Sequence, residues 1–175
     1  MKILNIHGYG GSPENGFYHA LREYGVSEII SPGFDYDRQS PGAVWIQLNA
    51  LFDQEQPDAV TGSSLGGYYA ALICAVKGTR ALLVNPCLIP QLTLPRLGFR
   101  ERSFIREYIQ LGAHLGVLKN AYAILGGQDD VVDYHDFTRF LLPEGHCIIV
   151  PDGGHRGSSL PLTDLLRSYG DTFFG

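Results

Sequence analysis

The sequence predicts an α/β fold in which a mostly parallel sheet of about six strands carries helices on both faces. Two observations support this prediction. Short apolar segments alternate with longer segments of helical spacing along the chain, an order typical of parallel sheets covered by helices. The apolar segments also lack strict alternation with polar residues, as expected of strands that are buried on both faces.

Six segments are predicted to be strands because they are short and apolar without strict alternation. They are Lys2 to Ile6, Ser27 to Ser31, Asp58 to Thr61, Arg80 to Val84, Ala121 to Leu125 and Cys147 to Val150. In open parallel sheets, ligands bind beyond the carboxyl ends of the strands. The loops that follow these segments are therefore the places to look for functional residues.

Two helices carry clear start and stop signals. Ser40 is a good N-cap and Pro41 suits the first helical turn, so a helix is predicted from there to just before Pro57. A second helix is predicted from Leu65 to Lys77, because Gly78 is a typical C-terminal stop.

The second half of the chain predicts two further helices. Asp133 is expected to cap a helix with an apolar face formed by Phe137, Phe140 and Leu141. A last helix is predicted around Pro161 to Tyr169, where leucines recur at helical spacing.

One long segment interrupts the regular alternation. More than thirty residues follow the predicted strand ending at Val84 before the next one begins. The segment contains a proline-rich stretch with Pro90 and Pro95, which is expected to be a loop, and a helical stretch from Ser103 to Leu111. Since such insertions emerge beside the ligand crevice, residues 87–116 are predicted to form a lid that shapes the substrate site. The alternative is an ordinary long crossover.

Composition narrows the class of protein. The 175 residues, of which 45% are hydrophobic, suit one domain over residues 1–175 with a single sizeable core. The net charge of -5 argues against a nucleic-acid binder. No apolar run approaches the ~20 residues of a membrane-spanning helix, and Met1 to Ile6 resembles a strand rather than a signal peptide.

The cysteines indicate the cellular compartment. Cys74, Cys87 and Cys147 are odd in number, far apart and free of any C-x-x-C motif. They are predicted to be reduced residues of a cytoplasmic protein.

The most informative motif is Gly-Ser-Ser-Leu-Gly at residues 62–66. A G-x-S-x-G between a strand and a helix is the setting of a nucleophile elbow, which projects the oxygen of Ser64 above the sheet from a strained backbone. Gly62 and Gly66 are required because side chains there would collide with the neighbouring strand or helix. Glycine and serine often meet in turns, so the motif needs a base, an acid and an oxyanion hole nearby.

His155 is the predicted base among six histidines. A serine hydroxyl becomes a good nucleophile only when a base accepts its proton. His155 follows Gly153-Gly154 and the predicted strand that ends at Val150. It therefore lies at the same edge of the sheet as Ser64.

The predicted acid comes from a pair of carboxylates after the strand that ends at Leu125. A carboxylate fixes the tautomer of the imidazole and stabilises the imidazolium. Asp129 is favoured because it stands in the frame Gly-x-Asp-x-x-Val, whereas Asp130 is expected to cap or solvate the loop. Asp133 and Asp152 are weaker candidates.

Two backbone amides are predicted to form the oxyanion hole. The first belongs to Leu65, directly after the nucleophile. The second belongs to Tyr9, in the loop His-Gly-Tyr-Gly-Gly that follows the first strand. His7 is expected to hold this loop by hydrogen bonds and to transfer no proton.

These motifs together resemble an α/β-hydrolase across essentially the whole chain, and the order Ser, Asp, His is typical of that fold. The residues that carry the resemblance are His7-Gly8, Gly62-x-Ser64-x-Gly66, Asn85-Pro86, Gly127-x-Asp129 and Gly154-His155. The small size, the stretch GSSLGGYYA at 62–70 and the stretch DVVDY at 130–134 resemble the small bacterial serine esterase family that includes YqiA. The resemblance implies a three-layer α/β-hydrolase fold and activity on acyl esters or thioesters without metal or cofactor.

The chain departs from that family at Arg156, where a small residue is expected, and in its arginine-bearing insertion. Arg96, Arg100, Arg102 and Arg106 cluster there. Guanidinium groups bind phosphate or carboxylate bidentately, so the cluster and Arg156 are candidate substrate contacts. The alternative, which the sequence alone favours, is a solvated helix face with acidic neighbours.

Aromatic residues near the predicted strand ends are further candidates for substrate contact. Tyr36 and Tyr68, together with Tyr9 and Phe34, are placed where they could line an acyl pocket. The alternative is that several of them belong to the core.

The sequence thus predicts a serine hydrolase that cleaves a small-molecule acyl ester or thioester through Ser64, His155 and Asp129. The alternative is a non-catalytic protein that binds a ligand or partner on a hydrolase scaffold. A third option is lyase or transferase chemistry by the same residues.

Overall fold

The computed structural model describes residues 1–132 and 135–175. Six strands form one sheet in the order β2-β1-β3-β4-β5-β6, and every neighbouring pair is parallel. The strands are β1 (Lys2–Ile6), β2 (Glu28–Ile30), β3 (Ala59–Ser63), β4 (Arg80–Val84), β5 (Ala121–Gly126) and β6 (Cys147–Val150). The predicted six-stranded parallel sheet is confirmed.

Seven α-helices cover the sheet in the described part of the chain. They are α1 (Gly16–Tyr24), α2 (Pro41–Glu55), α3 (Leu65–Lys77), α4 (Pro90–Arg96), α5 (Arg102–Gly112), α6 (His135–Leu141) and α7 (Leu162–Phe174). The predicted caps of two of them form as expected. The Ser40 hydroxyl accepts a hydrogen bond from the Ala43 amide at the start of α2, and Gly78 ends α3 in the left-handed conformation.

The two faces of the sheet carry separate apolar clusters, so the fold has three layers. Alternate residues of a strand point to opposite faces: Leu4 packs in the cluster beneath α2 and α3, whereas Ile3 packs in the cluster beneath α1 and α7. No helix in the described ranges is long and apolar enough to cross a membrane.

Helix α4 corrects one prediction, because the proline-rich stretch after β4 was expected to be a loop. Pro90 occupies the first turn of α4, where its missing N–H costs nothing. Pro95 lies in the last turn of this short helix. The periodicity rule fails here because α4 is too short to show a clear apolar stripe.

Helix α6 corrects a second prediction. Leu141 is buried, but the Phe140 side chain is 79% exposed and does not share the apolar face that was expected of it. The predicted cap Asp133 lies outside the described residues.

Candidate active site

Ser64 occupies a strained turn between β3 and α3. Its backbone has φ 51° and ψ -121°, a region that non-glycine residues rarely enter. The Ser64 amide donates to the Val84 carbonyl at 3.0 Å, and the Ser64 carbonyl accepts from the Cys87 amide at 2.9 Å. These bonds to the end of β4 hold the serine in its unusual conformation.

The two glycines of the motif are required by close backbone contacts. A Cβ atom at Gly62 would collide with the carbonyl of Gly66, and one at Gly66 would collide with the carbonyl of Ile6 in β1. The elbow can therefore pack against the sheet only with glycine at both positions.

Three side chains form a hydrogen-bonded series at the carboxyl ends of β3, β5 and β6. The Nε2 atom of His155 lies 3.0 Å from the Ser64 hydroxyl. Its Nδ1 atom lies 2.9 and 3.0 Å from the two carboxylate oxygens of Asp129. The carboxylate can only accept, so Nδ1 carries the proton and Nε2 is left to accept from the serine hydroxyl.

The loop after β5 places Asp129 at the inner end of this series, with its side chain only 1% exposed. The Val131 and Val132 amides both donate to Oδ1, at 2.9 and 2.8 Å. Burial by itself raises the pKa of Asp129, but the hydrogen bonds from His135, His155 and the Val132 amide outweigh it and hold the pKa well below 3.8. Asp129 thus stays ionised, whereas its neighbour Asp130 is exposed.

Asn85 ties the loops of the site together, a role that its sequence context does not reveal. It lies directly after β4 with φ 43° and is buried. Its Nδ2 donates to the carbonyls of Gly154 and His155 at 2.9 and 3.0 Å, and its Oδ1 accepts from the Gly126 amide at 2.7 Å. One side chain therefore connects the end of β5 to the loop that holds His155.

His135, which the sequence analysis did not single out, also contacts Asp129. Its Nε2 atom lies 3.1 Å from Oδ2 of Asp129, from the first residue of α6. The tertiary position of α6 brings it there, so neither spacing nor motif could have indicated it.

The loop after β1 is fixed by His7, as predicted. His7 is 1% exposed, its Nε2 accepts from the Phe34 amide at 2.9 Å and its Nδ1 donates to the Gly8 carbonyl at 2.8 Å. Burial lowers the pKa of His7 below 6.5, although the hydrogen bond to Gly8 partly opposes this shift. The ring is thus held neutral as a structural clamp.

Gly8 brings this loop against the serine. A Cβ atom at Gly8 would lie 3.0 Å from Cβ and 3.6 Å from Oγ of Ser64. The Gly8 carbonyl also accepts from the Gly11 amide at 3.0 Å, which fixes the plane of the Gly8–Tyr9 peptide. The amides of Tyr9 and Leu65 donate to no hydrogen-bond acceptor within residues 1–132 and 135–175.

Tyr36 and Tyr68 do not line a pocket, which corrects their interpretation as substrate contacts. They are 3% and 0% exposed. The Tyr36 hydroxyl donates to the His7 carbonyl at 2.8 Å, and the Tyr68 hydroxyl donates to the Tyr108 carbonyl at 2.6 Å. Both residues belong to the core under the site.

The arginines lie on the surface. Arg96 and Arg156 are exposed. A cavity of about 430 Å³ lies between α4 and α5, lined by Pro95, Phe99, Arg100, Arg102, Ile105 and Arg106. The ring of Phe99 packs edge-on against Tyr9 at 6.1 Å, so the cavity adjoins the loop after β1.

The acidic residues near these arginines are engaged elsewhere. Glu101 accepts from the amide and hydroxyl of Ser103, and Glu107 accepts from the Gly42 amide at 2.9 Å. Among the ion pairs of the described residues, none involves the three arginines that line the cavity.

The family model described as "Uncharacterised protein family (UPF0227)" matches residues 2–155, which include Ser64, Asp129 and His155. The chain belongs to UPF0227. This is the YqiA-like family that its motifs resemble. Comparison with curated proteins finds no significant match.

Solved structures give the fold of this UPF0227 member. Est1E from Butyrivibrio proteoclasticus matches with a TM-score of 0.75 and 16% identity, over 97% of this chain and 85% of that one. A structure reported for LipS and LipT, described as metagenome-derived lipolytic enzymes, matches with a TM-score of 0.74 and 16% identity, over 99% of this chain and 92% of that one. A meta-cleavage product hydrolase from Pseudomonas fluorescens IP01 matches with a TM-score of 0.68 and 16% identity, over 99% of this chain and 90% of that one. The three-layer α/β-hydrolase fold is confirmed.

Proposed function

We propose that this protein is a serine hydrolase that cleaves small carboxylic acyl esters or thioesters. The observation that carries the proposal is the series from the Ser64 hydroxyl through His155 to the buried Asp129 carboxylate, with its 3.0 Å and 2.9 Å contacts. The strained elbow supports it, because such strain is typical of functional sites. The names of two structural neighbours, a lipolytic enzyme and a meta-cleavage product hydrolase, are consistent with it.

The proposed reaction proceeds in two halves. His155 accepts the proton of Ser64 while the serine oxygen attacks the acyl carbonyl, and the amides of Tyr9 and Leu65 donate to the oxyanion. His155 then protonates the departing alcohol or thiol, which leaves an acyl-serine. A water molecule, deprotonated by His155, attacks this ester, and the acid leaves as the proton returns to Ser64.

The segment 87–116 is proposed to select the substrate. The cavity between α4 and α5 joins apolar side chains to three guanidinium groups and adjoins the loop of Tyr9. Guanidinium groups without a carboxylate partner favour an anionic ligand. We therefore propose that these three arginines prefer substrates with a carboxylate or phosphate group. On the sequence pattern alone, Arg96 and Arg156 are proposed as additional contacts.

The direct test compares neighbouring serines. We expect Ser64→Ala to lower the turnover of p-nitrophenyl acetate by about 10⁴-fold or more, and Ser63→Ala to retain most of it. A fluorophosphonate probe should label the wild-type protein and the Ser63 variant but not the Ser64 variant. An unlabelled wild-type protein would favour a non-catalytic binding protein.

The assignment of Asp129 as the acid is tested by comparing Asn variants of Asp129 and Asp130. We expect Asp129→Asn to lower kcat by about 10⁴-fold, because the imidazole then adopts the wrong tautomer. Asp130→Asn should have little effect, since Asp130 is exposed. The reverse result would show that Asp130, and not Asp129, is the acid.

A further inference from the structure

Two histidines share the carboxylate of Asp129. The Oδ2 atom lies 2.9 Å from Nδ1 of His155 and 3.1 Å from Nε2 of His135. We propose that His135 is a positioning residue that orients this carboxylate toward His155. The inference rests on the proposed function, since it assigns His135 a part in the same site.

The two oxygens of Asp129 are anchored differently. Oδ1 is held by the amides of Val131 and Val132 in its own loop. Oδ2 has only the two imidazoles as donors among the described residues. Without His135, rotation of the carboxylate about its last bond would be opposed by one fewer protein donor, and the Asp129 side chain is only 1% exposed.

The contact fixes the tautomer of His135. An ionised carboxylate only accepts, so in the neutral ring Nε2 of His135 carries the hydrogen and Nδ1 is a bare acceptor. That Nδ1 atom is buried and has no hydrogen-bond partner among the described residues. A buried nitrogen left unpaired is unfavourable, so the single bond to Asp129 is the polar contact that accounts for this placement of the ring.

The charged groups around His135 leave Asp129 as its main electrostatic partner. His135 and Asp129 line a cleft of about 270 Å³ together with Asp136 and Arg139 of α6. The Arg139 guanidinium lies 3.4 Å from the Asp136 carboxylate. On the loop after β4, burial raises the pKa of the Cys87 thiol to about 11, so that it is neutral. From the loop after β6, His155 faces the same carboxylate.

The chemical consequence is a balance between orientation and basicity. Every donor to Asp129 other than His155 makes the carboxylate less basic, while it also keeps Oδ2 in line with Nδ1 of His155. Loss of the His135 donor should therefore lower kcat through poorer alignment. It should also move the acid limb of the kcat/KM profile to higher pH, because a more basic carboxylate holds the imidazolium form of His155 more strongly.

The experiment uses three variants of the full chain. His135→Phe removes the donor, His135→Gln keeps an N–H near the position of Nε2, and His19→Gln is a control at an exposed histidine. With p-nitrophenyl acetate we expect the Phe variant to lose about tenfold in kcat at unchanged KM, with its acid limb raised by about half a pH unit. The Gln variant should recover most of the wild-type kcat and most of the wild-type position of the acid limb. A Phe variant with wild-type kcat and an unshifted acid limb would overturn the proposal, as would a Gln variant that fails to recover either.

A second measurement does not depend on turnover or on the folding of a variant. Imidazole ¹⁵N NMR of the wild-type protein, at a pH where the rings are neutral, should show His135 with a protonated Nε2 and an unprotonated Nδ1. The opposite tautomer would overturn the proposal. If the protein cleaves no ester but shows the expected tautomer, the proposed function fails while the contact of His135 with Asp129 stands.

Discussion

The close approach of Gly8 to Ser64 gives the sharpest test of the site. In Gly8→Ala the new methyl group would lie 3.0 Å from Cβ of Ser64 and 3.1 Å from the Ser63 carbonyl, whereas ordinary contacts begin at 3.4 Å. Either the loop of Gly8 or the turn of Ser64 must therefore move by about 0.4 Å. Ser64 is held by the Val84 carbonyl and the Cys87 amide, so we expect the loop that carries the Tyr9 amide to move.

The size of the effect follows from the tolerance of catalytic geometry. Productive sites hold their groups to within about 0.5 Å, and a misplacement of 1 Å can cost about 100-fold. We therefore expect Gly8→Ala to lower kcat for p-nitrophenyl acetate by about 10- to 100-fold, with thermal unfolding changed far less than activity.

Gly16→Ala, at the start of α1, is the matched control for this experiment, because a Cβ atom there has no neighbour within 4 Å and the backbone φ is not positive. Both variants should be melted and assayed in parallel. A folded Gly8→Ala protein whose kcat stays within about twofold of the control would refute the reasoning, since the loop would then be free to adjust without consequence.

Three other predictions concern the cavity, a buried histidine and the core. Arg102→Gln and Arg106→Gln should each raise KM about tenfold for esters that carry a carboxylate or phosphate and leave p-nitrophenyl acetate unchanged; equal effects on both substrates would contradict the anion preference. The pKa of His7 is lowered on folding, so the unfolded chain binds the extra proton and stability falls as pH drops below about 6.5, by up to about 1.4 kcal/mol per pH unit. Urea unfolding at several pH values should show that the free energy of unfolding of His7→Asn depends less on pH than that of the wild-type protein. Tyr68→Phe removes the buried bond to the Tyr108 carbonyl and should lower the free energy of unfolding by about 1 kcal/mol with kcat and KM unchanged; an altered KM would return Tyr68 to the substrate site.

The strands and the elbow could be predicted because each depends on local signals. The β1 strand, the β4 strand and helix α3 have the predicted bounds, since buried parallel strands show as apolar runs and α3 ends at a glycine. Helix α1 (Gly16–Tyr24) was not predicted, although Asn15 caps it. Its segment begins with glycine, and its strong helix formers, Ala20 to Glu23, come only in the second half.

The parts of the site that escaped prediction depend on tertiary contacts. The contact of His135 with Asp129 arises because α6 begins close to the loop after β5, and no spacing in the sequence encodes that distance. The bridging role of Asn85 likewise requires β4, β5 and β6 to be adjacent. Tyr68 was misassigned for a related reason: it follows the elbow closely, but the turn of α3 directs it into the core.

The position of β6 has a consequence for how activity would be lost. In the described sheet β6 is one of the two edge strands and pairs only with β5, whereas β3, which ends directly before Ser64, lies between two neighbours. Edge segments open locally at lower free energy than central ones. Fraying of this edge would carry His155 away from Ser64 while the middle of the sheet stays folded. Inactivation by urea should then precede the fluorescence change of Trp45, the single tryptophan, which lies in α2. The protein would lose its activity before it unfolds, and dilution of the urea would restore the activity at once.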